Sequence, residues 1–428
     1  MPDSNDVRRS FLEWLVQEQA AQQQKYATYR DYYDGEHATQ LTARMRKFLH
    51  LSPGIDFRAN YCGIVVDALA DKLNVTGFDA GEQSEEMWAW WQAGRMDGTQ
   101  GDTHLATVRD GDAYIITGWD NDAGRPTWAM ELAFDGSEGV KVHYSGDRRG
   151  APVFASKRWQ VRDEDLADAG YVRRLNVYYP NRIEKYISDQ RTFEGTWIPY
   201  REGDEWPIWW TTTGTEAGEP LGLPVVHFKY KASGYNYGIS RIDNVIPIQN
   251  GINKALIDVL GGADTDAFPM LYTFGDDFSA LTLGAGSHIY SENPNAKVGR
   301  VPSGDLSQLV SVYNTLVLEA ARISKTPLSY FQVTGQVSAE GTQKQQEAAL
   351  IADAETFQVV AGNAWEDALA TGRRLHNVFG PGGMDETQLI STQWKPAASR
   401  DETEQIKRGL LLIQSGVPYS IAWRRMGL

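Results

Sequence analysis

Two pairs of closely spaced carboxylates are the first residues that could do chemistry. Asp264-Thr-Asp266 has the spacing with which a sugar transferase holds a metal ion, and Asp276-Asp277 follows Gly275 directly. One D-x-D arises easily by chance, and each pair sits just beyond a glycine, so both read as solvated turns. Tryptophans offer a second possibility, a carbohydrate platform built from Met87-Trp-Ala-Trp-Trp91 and from Trp206, Trp209 and Trp210. Trp88 and Trp91 fall on one helical face, however, and core packing is the better use of such a pair. A carbohydrate-active enzyme also needs two acids facing one cleft, and the sequence offers many acids but no convincing pair. The seven histidines lack metal-ligand spacing, and the single cysteine, Cys62, has no histidine pattern beside it. There is no G-x-x-x-x-G-K-[ST], strand-linked G-x-G-x-x-G, H-E-x-x-H or G-x-S-x-G. The sequence therefore predicts no catalytic residue, no metal and no cofactor, and any ATP-driven step would belong to a separate protein.

The elements that would position functional residues are clearer than any site. From Gly238 to Pro327 the chain reads as helix, β excursion, helix. The first arm carries Ile242, Val245, Ile246, Ile252, Leu256, Val259 and Leu260 on one stripe, with Pro247 marking either the start of the helix or a kink. The second repeats the pattern with Leu306, Leu309, Val310, Tyr313, Leu316, Val317, Ala320 and Ile323, and must stop near Thr326 because Pro327 follows. Between them, Phe268 to Gly275 and His288-Ile-Tyr290 look like short strands. Two striped helices joined through a small β module predict a stalk with a head at its tip, and each stripe needs a partner.

Upstream, residues 6–33 read as one helix with Phe11, Leu12, Leu15, Val16, Tyr26 and Tyr29 on a common side. The tyrosines Tyr26 to Tyr33 are assigned to packing rather than base stacking, and Arg44, Arg46 and Lys47 to a solvated face. Ile64 to Leu73 and Met87 to Trp91 mark two further helices. From His104 to Tyr230 the pattern changes to short alternating runs, namely 113–117, 127–132, 172–179, 183–187 and 225–228, which predicts an antiparallel β region. Thr211 to Glu219 reads as a flexible loop closing it. After a charge-poor stretch, residues 341–380 form one long helical pattern with a bend expected near Gly362. Leu389 to Trp394 is a single strand. Ser399-x-x-Glu402 starts a helix through Ile406, Leu410, Leu411 and Ile413 that Gly416 stops, and a short helix through Ile421 and Trp423 ends the chain.

With 428 residues the chain can bury a large core distributed over two to four domains. Hydrophobic residues at 42% and charged residues at 23% are ordinary for a globular protein. One cysteine excludes an internal disulfide and fits a reducing compartment. The polar, acidic N-terminus carries no secretory signal, and no apolar run approaches the ~20 residues of a membrane span. A net charge of −15 argues against gripping nucleic acid over the whole surface. It is compatible with a wall past which DNA slides.

The order of several motifs resembles the portal proteins of tailed bacteriophages, of the siphovirus type. These are Tyr32-Tyr33-x-Gly35-x-His37, Asn60 to Phe78 ending in Val75-Thr-Gly-Phe78, and Gly238-x-Ser240 with Ile242, Val245, Gln249 and Ile252-Asn253-Lys254. Pro269, the Gly275 turn, Thr326-Pro327 and a Glu/Gln/Ala-rich helix continue the series. The resemblance implies an α+β portal-like fold: a β-rich wing over residues 1–236, stem helices at 237–262 and 303–325, and a β clip at 263–302. A tunnel loop at 326–340, a long kinked helix at 341–380, a return strand at 381–398 and a small helical crown at 399–428 complete it. It implies a ring of twelve copies around double-stranded DNA at one capsid vertex of the virion, assembled in the host cytoplasm. Terminase, a head-completion adaptor and the major capsid protein would be the partners, and no membrane is involved. DNA-facing residues would then be Asn253, Lys254, Lys325, Tyr330, Gln332, Thr334, Gln336 and Ser338. Asp276, Asp277, His288, Tyr290 and Glu292 would lie on the partner-docking clip. Another virion structural protein is the alternative, and the helix–clip–helix order speaks against it.

Overall fold

A computed structural model of the chain describes residues 4–37, 58–136, 138–148, 150–162, 171–188, 196–201, 206–232, 234–267, 271–275, 293–300, 306–331, 340–398, 410–411 and 413–415. The N-terminal segment is two helices rather than one, α1 (Ser4–Ala20) and α2 (Gln23–Asp34), with the break at Ala21-Gln22. The apolar spacing did not reveal the break because both helices turn the same residues inward. Leu12 and Leu15 enter a small core with Leu175, Val177 and Tyr186, while Tyr26 and Tyr29 enter the main one.

Next come α3 (Tyr61–Ala70), β1 (Val75–Asp79), α4 (Ser84–Ala93) and α5 (Met96–Asp110). Asn60 caps α3 by accepting from the Gly63 amide, which satisfies one of the free amides of the first turn. The α5 helix is not visible in the hydrophobic pattern, because polar side chains are prominent on the face it buries: Gln100, Thr103, His104, Thr107 and Asp110. Thr103 and Thr107 donate back to carbonyls four residues earlier, each at 2.7 Å, and Gln100 Oε1 accepts from the Val75 amide at 2.7 Å. Burial without an apolar stripe is affordable only because these groups are bonded.

The β region contains β2 (Asp112–Asp120), β3 (Arg125–Leu132), β4 (Gly139–Tyr144), β5 (Pro152–Arg162), β6 (Tyr171–Tyr178), β7 (Arg182–Ser188), β8 (Trp197–Pro199), β9 (Ile208–Trp209) and β10 (Val225–Lys229). It forms two antiparallel sheets, ordered β10-β2-β3 and β4-β5-β6-β7-β8, with β9 also on β7. All five expected runs are strands. The longest strand, β5, was missed together with β4, since β5 carries Ser156 and Arg158 inward. Arg158 lies over the Phe134 ring at 4.1 Å, so its place is taken by stacking rather than by an apolar residue. The stretch 211–219 is a closed turn, with Thr211 bridged to Pro220 and the Thr212 amide donating to Glu219 at 3.0 Å.

The stalk helices are α6 (Ile246–Ala267) and α7 (Leu306–Ser324). Pro247 is the second residue of α6, so the helix starts there and Ile242 and Val245 belong to the turns before it. Asp264-Thr-Asp266 continues the last turn of α6 and is not a loop. Between the helices β11 (Leu271–Phe274) pairs antiparallel with β12 (Lys297–Arg300); the expected strand at His288 to Tyr290 lies outside the described residues.

The helix α8 (Glu340–Phe379) runs 40 residues with no interruption at Gly362 or Gly372. The two glycines mark close packing instead: a Cβ at 372 would stand 2.9 Å from Trp128, and one at 362 would be 3.3 Å from Trp394 Nε1. Beyond α8, β13 (Ser391–Trp394) pairs with β1. The C-terminal helix signals at Ser399, Glu402, Ile406 and Gly416 and the short helix through Ile421 and Trp423 lie outside the described residues. The main core gathers Val65, Leu69, Trp91, Tyr114, Phe228, Trp365 and Leu369 between the sheets and α8.

Candidate functional site

The stalk divides into a buried foot and a solvated outer half. Ile252, Ala255 and Ile257 on α6 and Val317, Ala320 and Ala321 on α7 are buried, whereas no described side chain beyond Ile257 or before Val317 on these helices is. A Cβ at Gly251 would lie 3.4 Å from Leu316 and one at Gly262 2.4 Å from Leu306, which fixes the two helices as antiparallel with leucines seated on glycines. Val310 and Val312 are 42% and 53% exposed and Ile323 48%. At the tip Tyr272 and Phe274 are 46% and 62% exposed and meet edge to face at 5.6 Å. By helical spacing Val312 and Ile323 share one side of α7 while Val310 lies on nearly the opposite side, so exposed apolar groups flank the rod on two sides.

The foot is held by polar groups, almost all of them paired. Gly238 approaches Gly111 so closely that a Cβ on it would stand 2.0 Å from the Gly111 carbonyl oxygen. The Gly238 amide donates to Asp112 Oδ1 at 2.6 Å, and its carbonyl accepts from Lys25 Nζ at 3.1 Å. Asp112 is fully buried and also accepts from Tyr26 at 2.7 Å and pairs with His227 Nε2 at 2.8 Å. Burial pushes the His227 imidazole below its ordinary value, although the Asp112 carboxylate pulls the other way.

Arg241 forms the second anchor. Its side chain is 1% exposed and reaches four partners: Asp353 on α8, the Tyr230 hydroxyl at 2.9 Å, the Val65 carbonyl at 3.0 Å and the Ser324 carbonyl at 2.7 Å. Burial alone would raise the Asp353 carboxyl, but the Arg241 and Lys231 charges hold it below the usual range. One guanidinium thus ties the approach to α6, the end of α7, α3 and α8 together.

A third network joins α6 to the N-terminal helices. Gln249 accepts from the Tyr61 amide at 2.9 Å and donates to the Ala59 carbonyl at 2.7 Å. Asn253 accepts from the Ala59 amide at 2.9 Å and contacts His37 Nε2 at 2.9 Å, while His37 stacks on Tyr32 at 4.2 Å. The Tyr61 and Tyr313 hydroxyls meet at 2.7 Å.

These positions revise the expected site residues. Asn253 is 3% exposed with its amide occupied inside the subunit, so it has no group left for DNA and is a structural residue. Lys254 is exposed beside it and pairs with Asp258 at 2.7 Å, one turn along. Lys325 and Tyr330 are exposed just past α7, Tyr330 in a 3-10 turn over Leu328–Tyr330. Gln332, Thr334, Gln336, Ser338, Asp276, Asp277, His288, Tyr290 and Glu292 lie outside the described residues, as do Arg44, Arg46 and Lys47. Arg241, Asp353, Tyr230 and Asp112 escaped sequence reasoning. The only signal was a lone arginine between Ser240 and Ile242 at the head of an apolar stripe.

The tryptophans are structural. Trp91 meets Trp365 edge to face at 4.9 Å, Trp88 stacks on Trp91 at 6.2 Å, and Trp206 and Trp210 donate to the carbonyls of Lys185 and Gly222. Cys62 is buried, which pushes its thiol up to about 12. Among the described residues no group of three or more His, Cys, Asp or Glu could hold a metal ion. No described helix is long and apolar enough to cross a membrane.

No family model matches the chain. It is 23% identical over 346 residues to the portal protein of Mycobacterium phage D29, an alignment covering 74% of this chain and 64% of that protein. The portal protein of Mycobacterium phage L5 is 22% identical over 345 residues, with the same coverage. The chain thus spans a little under two thirds of the length of these curated relatives. Among solved structures, a chain described as the neck of an empty GTA particle computed with C6 symmetry matches with a TM-score of 0.50 and 13% identity. That match covers 90% of this chain and 93% of the other, and it establishes a shared fold. The chain is therefore similar in sequence to phage portal proteins, the likeness that its ordered motifs imply.

Proposed function

We propose that this chain is a subunit of a phage portal, a ring at one capsid vertex through which double-stranded DNA enters and leaves. The observation that carries the reading is the two-helix stalk with a buried foot, exposed apolar side chains on two sides of its second helix and a β tip, in a chain similar to portal proteins. A single subunit leaves Val310, Val312 and Ile323 in water on two sides of α7; neighbouring copies packed head to tail on either side cover them and close a ring, with twelve copies as the expected number. The sheets of the body form the wing seated against the major capsid protein. The β11–β12 tip is the clip, where terminase docks during packaging and a head-completion adaptor afterwards. A net charge of −15 per chain surrounds the bore with like charge to DNA, which favours sliding over sticking. Assembly takes place in the host cytoplasm and the product is part of the virion.

Sizing and electron microscopy of the purified chain test this. Rings of about half a megadalton with a central hole are expected for twelve copies of a 47.8 kDa chain. A stable monomer at micromolar concentration, with no ring even on dsDNA or capsid scaffolds, would overturn it.

A further inference from the structure

Three residues other than glycine have left-handed backbone among the described residues, and all are basic: Arg95, Lys231 and Lys325, with φ of 56°, 48° and 55°. Two of them converge on the foot of the stalk. Lys231 follows β10 and places Nζ 3.7 Å from Asp353 Oδ2. Lys325 is the first residue past α7, and the carbonyl just before it, that of Ser324, is held by Arg241. The Lys325 amide donates to Arg322 at 3.2 Å and the Thr326 amide to Ala321 at 3.1 Å, a helix-ending turn in which glycine is the usual occupant. A lysine there carries a backbone cost that glycine avoids, and an observed outlier of this kind points toward function.

The charge balance around these lysines is uneven. Asp353 supplies one negative charge, and the buried Arg241 guanidinium takes it. Lys231, with a side chain 48% exposed, and Lys325, exposed and without an ion-pair partner among the described residues, are left in surplus. Burial, Arg241 and Lys325 together lower the Lys231 ammonium from its ordinary value despite Asp353, so the cations already repel one another. An added anion would relieve that repulsion.

We propose that Lys231 and Lys325 form a phosphate-contact pair that meets the backbone of duplex DNA at the foot of the stalk. The inference rests on the portal reading and adds to it a residue, Lys231, and a chemical role for the pair. Duplex DNA is favoured over an acidic protein segment because both cations are exposed ammoniums on left-handed backbone positions. Such point charges accept successive phosphates without selecting a register. The exposed Arg9–Glu13 pair on α1 is neutral by contrast and serves as the internal control.

The test uses the assembled full-length chain and a fluorescent 30-base-pair duplex, read by anisotropy across a salt series. Lys231→Gln with Lys325→Gln is expected to weaken duplex binding at least fivefold at low salt and to reduce the slope of log K against log salt by about 1.8 for each subunit that touches the duplex. Arg9→Gln should leave both unchanged. Mass photometry of the same samples separates the outcomes. Intact rings with unchanged DNA binding in the double variant would overturn the phosphate pair while leaving the portal reading in place. Lost ring formation with unchanged DNA binding per ring would assign the lysines to a subunit contact and overturn the proposal too. Absence of rings in the parent chain would count against the portal reading itself. No salt-dependent duplex binding by the parent chain would overturn the pair.

Discussion

Arg241 and Asp353 form an ion pair across 112 residues of chain, with side chains 1% and 6% exposed. Removing one member leaves the other charge buried and unpaired, so Asp353→Ala is expected to cost about 3–5 kcal/mol. The double replacement Arg241→Met with Asp353→Leu should recover part of that loss. Denaturant unfolding of the four variants of the cycle measures it; additivity of the single effects would show that the pair is not coupled. Because the folded-state pKa of Asp353 is depressed, the pair stabilises above the ordinary carboxylate range and is lost as pH falls through the folded value.

Acid should weaken the body before it reaches the carboxylates. His104 accepts from Trp365 Nε1 at 2.9 Å and faces the Leu73 carbonyl at 3.3 Å, and burial holds it down at about 4. Burial, aided by the Lys141 charge, holds His143 at about 3. Both are neutral when folded and take up protons near pH 6.5 when unfolded. Their contribution is therefore complete above pH 6.5 and falls by roughly 1.4 kcal/mol per unit per residue as the pH drops toward those values. His104→Gln should flatten the stability profile between pH 6.5 and 5, and an unchanged slope would show that His104 is protonated in the fold.

Gly238→Ala should be among the most damaging small substitutions, because the added carbon meets the backbone oxygen of Gly111, which has nowhere to go. A loss of about 3 kcal/mol or more is expected. Gly98→Ala, in a helix with nothing within 4 Å of the added carbon, should instead be neutral or stabilise by up to about 1 kcal/mol. Thermal melts of the two variants provide the comparison.

Asn253→Ala should destabilise by about 1–3 kcal/mol, since the Ala59 amide and His37 lose their partner. Lys254→Gln removes only a surface pair one helical turn long and should shift stability by less than about 0.5 kcal/mol. The opposite ordering would return Asn253 to the solvent-facing side.

Val312→Glu places a charge on the exposed outer half of α7. It should leave the fold of the monomer intact and reduce the ring fraction seen by sizing at least tenfold. Unaltered assembly would move the subunit contact off this helix face.

The stalk and the alternating strands were legible in the sequence because each carries a periodic apolar pattern, which the stalk buries only at its foot. Pro247 and Pro327 then set the helix limits. What could not be read is what polar residues bury. The α5 helix and the β5 strand turn Thr, Gln, His, Ser and Arg inward, and hydrophobic periodicity is blind to such faces. The anchors of the foot are equally hidden, since Asp112, Gly238, Arg241 and Asp353 become partners only through contacts more than a hundred residues apart. Asn253 shows the converse error: a polar residue on a helix was assigned to solvent when its amide stitches the helix to the body.

The pairing of β1 with β13 joins Val75–Asp79 to Ser391–Trp394, and the Lys395 amide closes onto Asn74 at 2.8 Å. During synthesis the earlier strand therefore waits for its partner, with Thr76 and Gln393 being 317 residues apart, which takes roughly 15–60 s at ordinary ribosome speeds. A nascent chain that stops short of Ser391 would carry a bare strand edge beside α4. Products truncated before that point would then be marked for chaperone capture or degradation.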